Sequence, residues 1–288
     1  MKALVLSGGA VKGAYQVGVL KKWMLEEGRD YEIMCGVSVG ALNVSGLAQL
    51  PLGQPKAAFE KMLKTWEQIN TSSVYKQWFP FGLVSAFWKT SAFDSQPLID
   101  YIHKTLDVNA VKSSGRIVRV GAVCLDTGEQ RFGTENDSNL ADWVLASSSY
   151  PIFLKPIEIE GKLWSDGGIA NVTPLGEAIR LGATEIDVIM CSNPYLTDFW
   201  QSHKMRAVPD MVIRLVDLQS DQIMRADLEM LGLKNDLAQL SPKYNHVKIR
   251  LVKPKTSLVE NSLDFSPNVI KNLIEIGYND ASNFVIYE

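Results

Sequence analysis

The sequence has no apolar run of the roughly 18 residues that a membrane helix needs; its apolar start, Ala3-Leu4-Val5-Leu6, ends at once in Ser7-Gly8-Gly9. That start is also too short for the core of a secretion signal. It has only three cysteines, at 35, 124 and 191, and none lies in a Cys-x-x-Cys pair. A disulfide scaffold and a thiolate zinc site are thereby set aside, and a reducing compartment fits. Histidine is equally scarce, at 103, 203 and 246, so any chemistry that needs an imidazole must use one of these. There is no excess of positive charge: 29 basic residues face 32 acidic ones, which leaves no global field for a nucleic-acid backbone. Internal repeats, low-complexity stretches and linkers are absent as well, which excludes solenoids and tandem modules. The expectation is one cytoplasmic domain over 1–288, with any membrane contact peripheral.

What is present reads as alternating strands and helices. Ala3–Leu6 is a strand buried on both faces, and Gly8-Gly9 breaks it. Ala14, Val17, Leu20, Trp23 and Met24 have helical spacing, and Gly28 ends that helix. A second strand (31–37) and a second helix (40–50, stopped by Pro51) follow, which makes the two strands parallel with a right-handed crossover. Further on, a helix is expected over 55–70, a buried strand over 116–125 and a hairpin turning at Glu160-Gly161. A buried strand over 185–191 and a long helix over 208–236 come next. A strand from His246 to Leu251 alternates basic and apolar residues, as a half-buried strand near a sheet edge would. The sum is an α/β fold, a mainly parallel sheet with helices on both faces.

Three local patterns carry chemistry. Gly36-Val37-Ser38-Val39-Gly40 is a G-x-S-x-G run where a strand turns into a helix. There a sharp turn lifts the Ser38 hydroxyl off the sheet edge, Gly36 and Gly40 allow the backbones to crowd, and the helix start favours a developing oxyanion. Gly8-Gly9-Ala10-Val11-Lys12-Gly13 follows the first strand as Ser38 follows the second. Parallel neighbours bring both loops to the same C-terminal sheet edge. The loop is not a P-loop, because Ala14 and Tyr15 follow Gly13, nor a dinucleotide fingerprint, because it begins Gly-Gly. It reads as an oxyanion hole. Asp166-Gly167-Gly168 closes the set at the end of the predicted hairpin.

With these motifs in this order the chain resembles the patatin-like phospholipases. Ala146-Ser147, Pro151-Ile152-Phe153, Pro156 and the Asn171–Pro174 run support the resemblance, which covers about residues 1–190; residues 191–288 would complete the fold. The resemblance implies a three-layer α/β/α architecture and a lipid acyl hydrolase of phospholipase A or lysophospholipase type, with no cofactor and no metal. It implies a Ser38–Asp166 dyad without histidine, with Ser38 as nucleophile and Asp166 as general base and acid. The oxyanion hole would comprise Gly8, Gly9, Ala10, Lys12, Gly13 and Val39, with Gly167 and Gly168 shaping the aspartate turn. Ala10 stands where the family often has glycine, and its N–H is expected to serve if its φ is negative. Two further segments stay open. Residues 72–93 hold seven aromatics, read as core packing or as an acyl wall or interfacial lid. Lys248, Arg250, Lys253 and Lys255 read as a solvated face or a patch for anionic headgroups. Competing functions are a Ser-His-Asp α/β-hydrolase using His246, a malonyl-type acyltransferase, and a catalytically silent binding module.

Overall fold

The computed structural model describes residues 1–79, 82, 88–193, 208–240 and 246–288. Nine strands form a single sheet among these residues, in the order β5-β6-β3-β2-β1-β7-β8-β9, with β4 paired to β3. The strands are β1 (Lys2–Leu6), β2 (Ile33–Val37), β3 (Ile117–Cys124), β4 (Gln130–Thr134), β5 (Ile157–Ile159), β6 (Lys162–Asp166), β7 (Glu185–Ile189), β8 (Lys248–Val252) and β9 (Val285–Tyr287). The central strands β3, β2, β1, β7 and β8 are parallel, while β4, β5, β6 and β9 join the sheet through antiparallel pairings at the flanks.

Strand alternation divides the interior between two faces. Leu4 and Leu6 of β1 join a core beneath α1 (Gly13–Leu20), α2 (Val39–Leu47), α3 (Pro55–Gln68), α5 (Gln96–Thr105), α7 (Leu140–Ser147) and α10 (Pro267–Asp280). Ala3 and Val5 join a second core under α8 (Leu175–Arg180), to which Leu228 of α9 (Val208–Leu240) adds. Two short helices, α4 (Thr71–Val74) and α6 (Val108–Ser113), lie in the connections. This is the three-layer α/β/α arrangement. Its parallel strands place the loops after β1 and β2 side by side at one edge, and β6 brings Asp166 to the same edge through its pairing with Ala122.

Several elements differ from expectation for identifiable reasons. The first helix changes after Leu20 into a π-helical turn, Lys21–Glu26, before Gly28 ends it at φ +67°. β8 is not a half-solvated strand: it is buried apart from Lys248, and β9 covers its outer side. Arg250 is only 7% exposed, because the buried carboxylate of Asp187 on β7 takes its guanidinium at 2.9 and 3.1 Å, and Trp23 stacks on it at 3.8 Å. A carboxylate buried without such a partner would be costly. Arg250 therefore belongs neither to a solvated face nor to a headgroup patch.

Candidate active site

Ser38 sits between β2 and α2 with φ 57° and ψ −128°, a conformation that a residue with a side chain adopts only under strain. Gly36 and Gly40 make it sterically feasible. A methyl group on Gly36 would lie 2.3 Å from the Gly40 carbonyl oxygen, and one on Gly40 would lie 2.2 Å from that of Leu6. The elbow is also gripped from α7. The Ser38 N–H donates to Ser147 Oγ at 2.9 Å, and the Ser148 hydroxyl donates to the Ser38 carbonyl at 3.4 Å. The sequence marked Ser147 as part of a motif but not as this clamp, since its partner lies more than a hundred residues away.

Asp166 is 1% exposed and begins the Gly167–Ile169 turn. Its Oδ1 accepts the Gly168 N–H at 2.8 Å, while Oδ2 has no hydrogen bond of good geometry. Burial pushes its pKa from 3.8 up to about 7, held back by the Gly168 N–H and by the Ser38 side chain. The Ser38 side chain is thus near enough to the carboxylate to favour its charged form.

The glycine loop divides into committed and uncommitted donors. The Gly8 N–H bonds the Val172 carbonyl at 3.0 Å, that of Lys12 bonds Gly9, and that of Gly13 bonds Ala10 and Val11. These three amides hold the loop's shape and are spent. Those of Gly9, Ala10 and Val39 have no partner among the described residues. Ala10 has φ +51°, so the negative φ on which its donor role was expected to rest is not met; its N–H is unclaimed all the same, and the loop carries the strain of a left-handed alanine. Cys191 packs beneath Gly9, where a methyl group on the glycine would lie 2.5 Å from its Cβ.

A buried chain of amides supports this arrangement. Trp66 Nε1 donates to Asn43 Oδ1 at 2.8 Å, Asn43 Nδ2 donates to Gln16 Oε1 at 2.8 Å, and Gln16 Nε2 donates to the Ser7 carbonyl at 2.7 Å. It ties α3 and α2 to the start of the glycine loop. Gln16 and Asn43 resemble any polar helix residue in sequence, and only their burial reveals them.

Ser38, Asp166 and the loop share a cavity of about 410 Å³, with largely apolar walls that include Leu42, Met62, Ile102 and Phe265. Tyr150, without an assigned effect in the sequence, lines it and stacks on Phe153. Of the aromatic segment, Tyr75 and Phe93 line the cavity and pack at 4.5 Å from each other. Trp78 donates its indole N–H to Ser91, and Phe79 is 95% exposed. Residues 80, 81 and 83–87 of that segment lie outside the described residues, so the lid reading is open there. No described histidine lines the cavity: His103 pairs with Asp142 at 3.3 Å, half-exposed, and His246 is exposed, while His203 lies outside the described residues.

The model of the patatin-like phospholipase family matches residues 4–179. An uncharacterized protein of Escherichia coli K12, YjjU, is 28% identical over 222 residues, which is 75% of this chain; the chain spans about 60% of that relative's length. VipD from Legionella pneumophila aligns in three dimensions with a TM-score of 0.49 and 14% identity, over 98% of this chain and 66% of VipD. With a family model matched across more than half of its length, the chain belongs to the patatin-like phospholipases, a family of lipid acyl hydrolases.

Proposed function

We propose that this chain is a serine acyl hydrolase of phospholipase A or lysophospholipase type that works through a Ser38–Asp166 dyad. The observation that carries the reading is the unpaired, buried Oδ2 of Asp166 beside a serine on a strained elbow, in an apolar cavity. Asp166 takes the hydroxyl proton as Ser38 Oγ attacks the ester carbonyl. A pKa of about 7 suits that task near neutral pH. The N–H groups of Gly9, Ala10 and Val39 receive the oxyanion, the last at the start of α2, where the helix adds partial positive charge. Asp166 returns the proton to the leaving alcohol, which leaves Ser38 acylated. Water then gives a proton to Asp166 and attacks the acyl carbonyl; the Ser38 Oγ–acyl bond breaks, Asp166 returns that proton to Ser38 Oγ, and the fatty acid leaves.

The matched segment ends at residue 179, but β7, β8, β9 and α10 extend the same sheet and core, which supports reading 1–288 as one catalytic domain. No helix among the described residues is long and apolar enough to cross a membrane. Peripheral lipid contact is supported by Phe79, Trp88 and Ile152, exposed by 95, 62 and 51%, of which Ile152 lies in sequence between cavity-lining Tyr150 and Phe153.

The test is labelling with a fluorophosphonate followed by peptide mapping, together with hydrolysis of p-nitrophenyl acyl esters. The adduct is expected on Ser38 and activity is expected to vanish in Ser38→Ala. His103→Ala, His203→Ala and His246→Ala should each stay within about tenfold of wild type, since loss of a general base costs about 10²–10⁴. An adduct on another serine, or a histidine variant as inactive as Ser38→Ala, replaces the dyad with a different site.

A further inference from the structure

Gly46 stands inside α2 without a backbone reason to be glycine. Its φ is not positive, and a methyl group on its α-carbon would meet no atom within 4 Å. A helix interior disfavours glycine. What the missing side chain leaves is room, and that room belongs to the cavity that starts at Ser38.

Val39, Leu42 and Gly46 of α2 line this cavity with the spacing of one helix face, and Gln49 lines it just past the helix end. α3 lies across from it and runs the other way. Trp66 bonds Asn43 near the serine end, and Lys61 Nζ donates to Gln49 Oε1 at 2.8 Å at the far end. The same Gln49 oxygen accepts the Asp107 N–H at 3.1 Å. A polar, solvent-exposed crosspiece joining three segments of the chain thus stands beside the apolar lining at that end.

We infer that the space between α2 and α3 is a ruler for one unbranched acyl chain, with Gly46 holding it open ahead of its end and the Gln49–Lys61 pair setting that end. The inference rests on the acyl-hydrolase reading and adds the substrate's chain length to it. At 1.5 Å of rise per residue, Gly46 lies about 12 Å along the helix from Ser38, and Gln49, reached past the helix end through Ala48 in the same right-handed conformation, about 16 Å. Carbon–carbon bonds of about 1.5 Å at about 111° advance an extended chain by about 1.25 Å per carbon. An acyl chain thus passes Gly46 near its tenth carbon and meets Gln49 near its thirteenth. Single-chain esters of medium length, lysophospholipids among them, are the class that fits.

The test is kcat/KM for p-nitrophenyl esters of four to eighteen carbons. For wild type it should climb by up to about fourfold per carbon, the gain from one buried methylene, and level off near thirteen. Gly46→Leu should lower the ratio of twelve-carbon to four-carbon activity at least tenfold. Gln49→Leu with Lys61→Leu should move the plateau to longer chains. A wild-type profile that still climbs at eighteen carbons, or unchanged ratios in both folded variants, overturns the ruler. Calorimetric binding of linear saturated fatty acids to Ser38→Ala separates this inference from the one beneath it. If wild type hydrolyses no ester, the hydrolase reading falls, while binding that strengthens with length and levels near thirteen carbons still supports the ruler. Binding indifferent to length overturns it.

Discussion

Asp166→Asn should stabilise the folded protein while it abolishes catalysis. Burial raises the pKa of Asp166 from 3.8 to about 7. Below pH 4 the carboxyl is protonated in both the folded and the unfolded chain and imposes no penalty. Between pH 4 and 7 the unfolded chain gives up this proton and the folded chain keeps it, so the folded state binds more protons and loses stability as pH rises. Above pH 7 the charge is present in the interior and the penalty is complete. Each pH unit of displacement corresponds to 1.36 kcal/mol, so the full effect is on the order of 4 kcal/mol as an upper bound. Asparagine keeps an oxygen for the Gly168 N–H and carries no charge. Urea denaturation of wild type and Asp166→Asn across pH 4 to 8.5 isolates this group, because the other titrations are common to both proteins. The stability difference should grow in favour of Asn by roughly 2–4 kcal/mol from pH 4 to 8.5. In wild type, kcat/KM should rise about tenfold per pH unit below 7 and flatten above it. A stability difference independent of pH, or a kcat/KM flat between pH 5 and 8, would refute the assignment of a raised pKa to the base.

The glycine loop gives a paired prediction. Gly9→Ala should lose at least about 10²-fold in kcat, the scale of one oxyanion donor, because its methyl group would lie 2.5 Å from the Cβ of Cys191. Ala10→Gly should keep activity and change stability by no more than about 1 kcal/mol, since relief of the left-handed alanine opposes the entropy of glycine; esterase rates and melting curves of both variants check this. At the exposed aromatics, Phe79→Ser with Trp88→Ser should weaken hydrolysis in phospholipid vesicles far more than of a soluble four-carbon ester, with little change in melting temperature. Equal loss on both substrates together with a lower melting temperature would assign these rings to packing.

Much of this protein was legible in the chain because it is local. The apolar run of β1, the spacing of Ala14, Val17, Leu20 and Trp23, and Gly36 and Gly40 around Ser38 each answer a steric or periodic demand that neighbouring residues satisfy. Those demands alone placed Ser38 and the glycine loop on one edge of a parallel sheet. What only the tertiary structure decided depends on partners distant in sequence. Asp166 acquires a pKa near 7 because the fold buries it. The amide of Gly8 is taken by the Val172 carbonyl, while those of Gly9 and Ala10 in the same loop are left unclaimed among the described residues. Arg250 leaves the surface because Asp187 is buried on the adjacent strand. Gly46 becomes meaningful only once α3 lies opposite it, since a vacancy between two helices has no signature in either of them. Burial and pairing belong to the assembled fold, and residue identity constrains them without choosing them.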